Sequence, residues 1–243
     1  MKAIILAAGK GERLKEITKK IPKPMLRIKR EIILEHNLKW LKSFGIEEIY
    51  INVHHLPDVI RKYFKDGKKW GIKINYSYEE NILGTAGGVR KIIEDFRQHK
   101  WNKEFLVIYG DNFYPESYNL NKFINFHLEQ NGFTTIGVYR KKDEILKSGV
   151  VTINGDNLID NFVEKPTVLN CNSNTLEKGL INTGLYRLNK KVINYIPNGF
   201  SDFGRDIFPT FVQEKIPMYA YIFNKPLITI DSIELYKKQQ PNK

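Results

Sequence analysis

Short apolar runs alternate with helical patterns through the first half of the chain, and this rhythm constrains the fold more than any other feature. We predict strands at residues 3–7, 48–53, 72–76 and 105–109, and helices at 31–44, 57–64 and 85–96. The first and fourth of these strands are unbroken apolar runs, which is typical of strands buried on both faces of a parallel sheet. The alternation predicts an α/β fold with a mainly parallel, Rossmann-like sheet and helices on both faces.

The pattern changes after about residue 132, where strand-like runs follow one another with fewer helices between them. These runs lie at residues 133–139, 149–153, 158–163, 179–188, 218–222 and 227–230, with helical patterns at 203–212 and 232–239. The sequence holds no repeat and no composition typical of a linker. We therefore predict one domain over residues 1–243, in which residues 132–243 form a smaller β-rich lobe that shares the sheet of residues 1–131.

Composition limits the classes of partner. The net charge of +12 permits contact with nucleic acid, an acidic membrane surface or an anionic small substrate. The basic residues form no block, which disfavours a nucleic-acid-binding tail, and no apolar run reaches the length of about 20 residues that a membrane span needs. We expect neither partner. The single cysteine, Cys171, excludes an internal disulfide and favours the cytoplasm, and its polar surroundings indicate a loop rather than a nucleophile.

A glycine-rich stretch follows the first predicted strand, at residues 6–14 (LAAGKGERL). Glycine lets amide N–H groups approach an anion, and Arg13 adds a guanidinium that suits phosphate oxygens. The stretch lacks the Gly-Lys-Ser/Thr ending of a Walker P-loop, and Leu14 replaces the third glycine of a dinucleotide fingerprint. Because Lys23 follows between two prolines that restrict the backbone, the pattern predicts a triphosphate cradle with no long helix behind it.

These residues resemble the signature of the sugar-1-phosphate nucleotidyltransferases, also called nucleoside-diphosphate-sugar pyrophosphorylases. Four later stretches resemble further motifs of that family in the same order: residues 83–88 (LGTAGG), 107–112 (VIYGDN), 163–166 (VEKP) and 181–186 (INTGLY). The chain is most similar in form to the mannose- and heptose-1-phosphate guanylyltransferases. Two features depart from the family pattern. Glu12, which we expect to point outward, stands where Thr is common, and the Gly-Thr-Pro that usually follows the position of Asp231 is missing.

The resemblance implies that a phosphate oxygen of a sugar 1-phosphate attacks the α-phosphorus of a nucleoside triphosphate and releases pyrophosphate. It assigns the catalytic role to Arg13, Lys23 and Asp111. The implied nucleotide-binding residues are Leu6, Ala8, Gly9, Gly11, Arg13, Lys23, Gly84, Thr85 and Gly87. The implied sugar-phosphate-binding residues are Gly149, Glu164, Lys165, Asn182 and Thr183. Asp111 and Asp231 are the implied ligands of Mg²⁺, which typically binds one or two carboxylates together with substrate phosphates.

Several alternatives stay open at the level of the sequence. GTP is favoured as the nucleotide, but cytidylyl, uridylyl or thymidylyl transfer to another sugar 1-phosphate, or to a phosphorylated alcohol such as phosphocholine, fits the same motifs. Two alternatives belong to other classes: a regulator that binds sugar nucleotides without catalysis, and a module whose basic surface docks on nucleic acid. The resemblance also predicts a role in nucleotide-sugar and polysaccharide biosynthesis, and it leaves homo-oligomer formation open.

Overall fold

A nine-stranded mixed sheet forms the centre of the molecule. The computed structural model describes residues 1–28, 30–167 and 173–240, apart from the side chains of 173, 174 and 176, so Cys171 lies outside the described residues. The strands are β1 (Lys2–Leu6), β2 (Glu48–Val53), β3 (Lys73–Tyr78), β4 (Glu104–Tyr109), β5 (Thr134–Tyr139), β6 (Gly149–Ile153), β7 (Ile159–Glu164), β8 (Leu180–Asn189) and β9 (Met218–Ile222).

The sheet has the order β9-β5-β8-β4-β1-β2-β3, and its strands run parallel except for β8, which is antiparallel to both β4 and β5. The pair β6–β7 joins the sheet through an antiparallel contact between β6 and β8. The predicted α/β fold with a mainly parallel, mixed sheet is confirmed. Strands from both halves of the chain share one hydrogen-bonded ladder, which keeps the ends of those strands in register.

Helices cover both faces of the sheet. They are α1 (Ile33–Ser43), α2 (Pro57–Phe64), α3 (Gly84–Asp95), α4 (Leu120–Gln130), α5 (Ser173–Lys178), α6 (Phe208–Gln213) and α7 (Ile233–Lys238). Successive residues of β1 belong to different hydrophobic cores. Ile5 lies in the core that also holds residues of α1, α2 and α4, whereas Ile4 lies in the core that holds residues of α3 and α6. This alternation explains why the buried strands are apolar throughout. Within the described residues, no helix is long and apolar enough to cross a membrane.

The structure corrects two predicted elements and adds helices that were not predicted. Residues 227–230 were expected to form a strand, but Ile228 makes only an isolated bridge with Phe113. The helix expected from residue 31 begins at Ile33, because Glu31–Ile32 pairs with Arg27–Ile28 in a short antiparallel ladder. Helix α4 was not predicted at all.

The sequence of helix α4 contains two features that are typical of a helix, its spacing of buried residues and its N-cap. Leu120, Phe123 and His127 are its buried residues and follow helical spacing, and the Asn119 side chain caps its first turn by accepting a hydrogen bond from the Lys122 amide. The helix packs against β5 and β9 at the end of the sheet where the second half of the chain lies.

A buried polar cluster joins α4 to the sheet. His127 is 1% exposed, and its Nδ1 lies 2.7 Å from the Thr135 hydroxyl. Its Nε2 lies 3.4 Å from a Glu104 carboxylate oxygen, which also pairs with Arg187 at 2.6 Å. Burial, followed by the nearby Arg187 charge, lowers the pKa of His127 to about 4. The imidazole is therefore neutral in the folded protein near pH 6, where an unfolded histidine is largely protonated.

This depressed pKa predicts a loss of stability in mild acid. Between pH 6.5 and pH 4 the unfolded chain binds more protons at His127 than the folded chain, so the free energy of unfolding falls as the pH falls. We expect this residue to account for a loss of about 2 kcal/mol between pH 7 and pH 5. Urea denaturation of the wild type and His127→Asn at both pH values measures the difference, and His99→Asn, at a half-buried position, is the control. An equal pH dependence in wild type and His127→Asn would contradict the prediction.

Candidate functional site

Two adjoining cavities open where β1, β3 and β4 end, as expected for ligand sites of open α/β sheets. The first compartment, of about 570 Å³, is lined by the loop after β1 and the segments that follow β3 and β4. The second compartment, of about 700 Å³, lies beside β6, β7 and β8. The residues that border both are Arg13, Thr85, Tyr109, Asp111, Glu164, Lys165, Asp202 and Asp231.

The glycine loop forms one wall of the first compartment. Its start is fixed by a hydrogen bond of 2.7 Å from the Ala7 amide to the Asn52 side chain. Gly11 has a φ of +66°, and a Cβ there would lie 2.9 Å from the Thr18 methyl group and 3.2 Å from the Lys23 Cβ. The loop continues into a single 3₁₀ turn at Glu12–Leu14, so no long helix follows it. Leu6, Ala8, Gly9 and Gly11 all line this compartment, which is where the sequence interpretation expects them.

Lys23 lines the first compartment and binds two carboxylates that border both compartments. Its Nζ is 2.6 Å from an Asp111 oxygen and 2.6 Å from an Asp231 oxygen. The lysine is 6% exposed, and burial alone would lower its pKa, but the two carboxylates raise the pKa above its ordinary value. Burial would likewise raise the pKa of Asp231, but Lys23 and Arg13 lower it below the usual range. Lys23 and Asp231 are therefore both charged at neutral pH.

Arg13 completes this cluster from the solvent side. Its guanidinium lies 3.1 Å from the same Asp231 oxygen, and its side chain is 62% exposed. Exposed ion pairs contribute little to stability, so the guanidinium can turn toward an anionic ligand at small cost. The predicted catalytic residues Arg13, Lys23 and Asp111 are thus brought together with Asp231.

Asp111 and Asp231 form the donor set available to a divalent cation. Asp111 follows β4 and Asp231 precedes α7, and both border the two compartments. The described ranges hold no group of three or more His, Cys, Asp or Glu side chains arranged to bind a metal. Two carboxylates suit Mg²⁺, which takes its other ligands from substrate phosphates and water. The Lys23 ammonium contacts one oxygen of each carboxylate, so a cation here can bind the other oxygen of each or take the place of the ammonium.

Glu164, at the end of β7, lies between two glycines: Gly149, which lines the second compartment, and Gly204, in the segment before α6. A Cβ on Gly149 or on Gly204 would lie 2.6 Å from the same Glu164 oxygen. Burial and the nearby Asp202 raise the pKa of Glu164, against the lowering effect of Lys165. Lys165 has a φ of +49°, and its amide donates to the Ser148 carbonyl at 3.0 Å.

Asn182 also lines the second compartment, at an irregularity of β8. Its amide group donates to the Tyr186 hydroxyl at 2.8 Å and its oxygen accepts from the Gly184 amide at 2.9 Å. Gly184 has a φ of +69°, and the pairing of β8 with β5 shifts between Asn182 and Tyr186. This bulge turns the Asn182 side chain into the cavity wall.

Two residues of the predicted sets lie away from both cavities. Thr183 is fully buried, and its hydroxyl donates to the Gly137 carbonyl at 2.7 Å instead of facing a ligand. Gly87 lies inside α3, where its amide donates to the Ser201 carbonyl and a Cβ would lie 2.4 Å from the Gly199 oxygen. Both shape the backbone of the site. Gly84 and Thr85, from the same stretch as Gly87, do line the cavities.

Among the residues of the cavity wall that were not predicted from the sequence, Asp202, Glu79 and Phe200 stand out. Asp202 accepts a hydrogen bond of 2.9 Å from the Thr85 hydroxyl, 117 positions away in the chain. Glu79 is 1% exposed and accepts from the Asn52 side chain at 2.7 Å and from the Leu83 amide at 3.0 Å. Asp202 precedes a helical run, as an N-cap does, and could have been noticed. Phe200, 61% exposed at the rim, gives no local signal.

Comparisons with known proteins agree with this geometry. Residues 2–226 match the family model described as nucleotidyl transferase. The chain is 37% identical to the UTP–glucose-1-phosphate uridylyltransferase of Synechocystis sp., over 97% of this chain, and spans only about three fifths of that protein's length, 61%. It is 34% identical to the D-glycero-alpha-D-manno-heptose 1-phosphate guanylyltransferase of Campylobacter jejuni, over 97% of both chains. The crystal structure of HddC from Yersinia pseudotuberculosis complexed with GMP-PN has a TM-score of 0.77 and 27% identity, covering 98% of this chain and 97% of that one.

The Glu164 carboxylate lies so close to Gly149 that a side chain at position 149 has to displace it or the Phe162 ring. A Cβ 2.6 Å from the carboxylate and 3.1 Å from the Phe162 ring forces one of them to move. We expect Gly149→Ala to lower the free energy of unfolding by about 1–3 kcal/mol. Gly155→Ala is the matched control, since a Cβ there meets nothing within 4 Å. Chemical denaturation measures both, and equal stabilities of the two variants would show that Glu164 is not held as described.

Proposed function

The chain belongs to the nucleotidyl transferase family, and we propose that it joins a nucleoside triphosphate to a sugar 1-phosphate, giving a nucleoside-diphosphate sugar and pyrophosphate. The observation that supports this most is the meeting of Arg13, Lys23, Asp111 and Asp231 at the border of two compartments. A transfer between two phosphorylated substrates needs two adjoining binding spaces with the charged groups between them. We assign the first compartment to the nucleotide, because the glycine loop lines it. The second compartment is then left for the sugar phosphate.

In the proposed reaction a phosphate oxygen of the sugar attacks the α-phosphorus in line. The bond from that phosphorus to the bridging oxygen breaks, and pyrophosphate leaves with the electron pair. Two polyanions repel each other, so the protein has to hold them in position and neutralise the charge that develops. Arg13 and Lys23 bind the triphosphate in this proposal. No covalent intermediate with the protein is required.

The same proposal assigns Asp111 and Asp231 as the residues that hold Mg²⁺. Bound there, the metal would neutralise phosphate charge and act as a Lewis acid on the α-phosphate. The two carboxylates are already brought together by one ammonium, which supports the assignment. With the metal bound there, the Lys23 ammonium would be available to contact the triphosphate.

The second compartment supplies the groups for a sugar phosphate. Lys165 provides a cation for the phosphate, and Glu164 and Asn182 provide polar atoms for sugar hydroxyls. Gly149 lines this compartment, and the space beside it is taken by the Glu164 carboxylate, so its small size lets Glu164 reach the cavity. Thr183 supports this arrangement indirectly, because its carbonyl accepts a hydrogen bond of 3.0 Å from the Asn112 side chain, next to Asp111.

GTP is the nucleotide we place first. The heptose-1-phosphate guanylyltransferase of C. jejuni and the GMP-PN complex of the Yersinia protein support that order. UTP is the second candidate, because the uridylyltransferase of Synechocystis is 37% identical. We place the reaction in the cytoplasm, which the single cysteine favours, and in the synthesis of polysaccharide precursors. The non-catalytic regulator is tested by the same assay as the reaction.

Replacement of Asp111 tests the proposed chemistry. We expect Asp111→Asn to lower turnover by about 10²–10³-fold while the fold stays intact, because one charged ligand and one partner of Lys23 are lost. The assay is pyrophosphate release with Mg²⁺, in a screen of GTP, UTP, CTP and dTTP against a panel of sugar 1-phosphates and phosphocholine. Asp156→Asn, in the exposed turn between β6 and β7, is the matched control and should leave turnover unchanged.

Two outcomes of that screen would count against the proposal. Near-normal turnover of Asp111→Asn would remove the metal assignment. Silence of the wild type across the whole panel would remove the proposed activity and favour a protein that binds its nucleotide without catalysis.

A further inference from the structure

We propose that the ring of Phe200 is the stacking surface for the nucleobase of the bound nucleoside triphosphate. The inference rests on the proposed function, since it assumes that the first compartment holds a nucleotide. Phe200 lies between β8 and α6, in a segment that none of the recognised sequence motifs includes.

The exposure of Phe200 needs an explanation. Its exposed fraction of 61% is the largest among the big apolar side chains in the described part of the chain. The described rings show no aromatic contact with it, although most phenylalanines of this protein pack against other rings. A bare ring forfeits the stabilisation that burial of a phenylalanine gives. An aromatic face left open at the rim of a cavity can instead stack on a flat ligand.

The backbone that carries the ring is firmly held. The Ser201 amide donates to the Leu83 carbonyl at 2.9 Å, and the Ser201 carbonyl accepts from the Ala86 and Gly87 amides at 3.0 Å each. Gly84 has a φ of +74°, and a Cβ on it would lie 3.3 Å from a Phe200 ring carbon. The ring is therefore placed against the start of α3 by five backbone groups, and not by a loose loop. A stacking surface fixed in advance loses little entropy when a ligand binds.

The charges of the first compartment set the direction of the ligand. Lys23 and Arg13 lie near the end of β4, whereas Glu79, Ile82 and Phe200 line the compartment near the segment that follows β3. Strands β3 and β4 are separated by β1 and β2 in the sheet. Phosphates bound at the cationic end direct the nucleoside toward the end that holds Ile82 and Phe200. That end presents the Ile82 side chain and the open face of a ring, together with the polar side chain of Glu79, which suits a nucleobase.

Stacking contributes to the affinity for any nucleobase but discriminates little between bases, because every base has a π-face. The proposal therefore holds for GTP and UTP alike. A stacked base contributes about 1–3 kcal/mol, which corresponds to about a 5- to 150-fold change in affinity.

Calorimetric titration of the full chain with GTP, with UTP and with inorganic tripolyphosphate, all in the presence of Mg²⁺, tests the role of the ring. We expect Phe200→Ala to weaken the tighter-binding nucleotide by about 10-fold or more and to leave tripolyphosphate within about 2-fold. Phe200→Tyr keeps the ring and should bind within about 3-fold of the wild type. Leu128→Ala is the matched control, because Leu128 is 57% exposed on α4 and lines neither compartment.

Three results would overturn the inference alone. Phe200→Ala could bind the nucleotide as tightly as the wild type. It could lose nucleotide and tripolyphosphate equally, which would mean that the residue only shapes the loop. It could keep its nucleotide affinity and lose self-association in analytical ultracentrifugation, which would make the ring a contact between subunits.

The same measurements distinguish failure of the stacking role from failure of the proposed reaction. If GTP or UTP binds with the expected dependence on Phe200 but no sugar 1-phosphate yields pyrophosphate, the stacking role stands and the proposed reaction fails. If the wild type turns over and Phe200→Ala binds nucleotide normally, the reaction stands and the stacking role fails. If the wild type binds neither nucleotide, both fail.

Discussion

The ammonium of Lys23, held between the carboxylates of Asp111 and Asp231, is the interaction on which the site depends. The three residues come from distant parts of the chain, with 88 positions between Lys23 and Asp111 and 208 between Lys23 and Asp231. Partly buried carboxylates this close repel unless a cation lies between them. The lysine therefore makes possible a concentration of negative charge that the proposed metal would need, and it links the segment after the glycine loop to the segment before α7.

The sheet gives this cluster its fixed frame. Strand β8 is the one strand of the main order that runs against its neighbours, and it brings the Asn182 bulge beside the parallel strands. Because β6 and β7 extend from β8 in a hydrogen-bonded ladder, the second compartment is built on the same sheet as the first. Strand pairing therefore sets the distance between the two compartments, and a hydrogen-bonded sheet deforms little.

The parts of the fold that follow local patterns could be predicted, and those that depend on distant contacts could not. Unbroken apolar runs predict the buried parallel strands, and glycines predict the loops that follow them. The bond between Thr85 and Asp202, the buried carboxylate of Glu79 and the exposed ring of Phe200 depend on which segments meet after folding. Motif membership also misleads for Thr183, because a motif contains residues that shape the backbone beside those that face the cavity.

The Glu164 side chain fills the space beside both Gly149 and Gly204, which lie on separate segments of the chain. At each glycine, a Cβ would lie 2.6 Å from the same Glu164 oxygen, so neither position has room for a side chain while that carboxylate stays in place. An aspartate at position 164, shorter by one methylene, would release space on both sides at once. Among related chains these three positions should accordingly change as a set, and an alanine at one glycine should be found where the acidic side chain is shorter or absent.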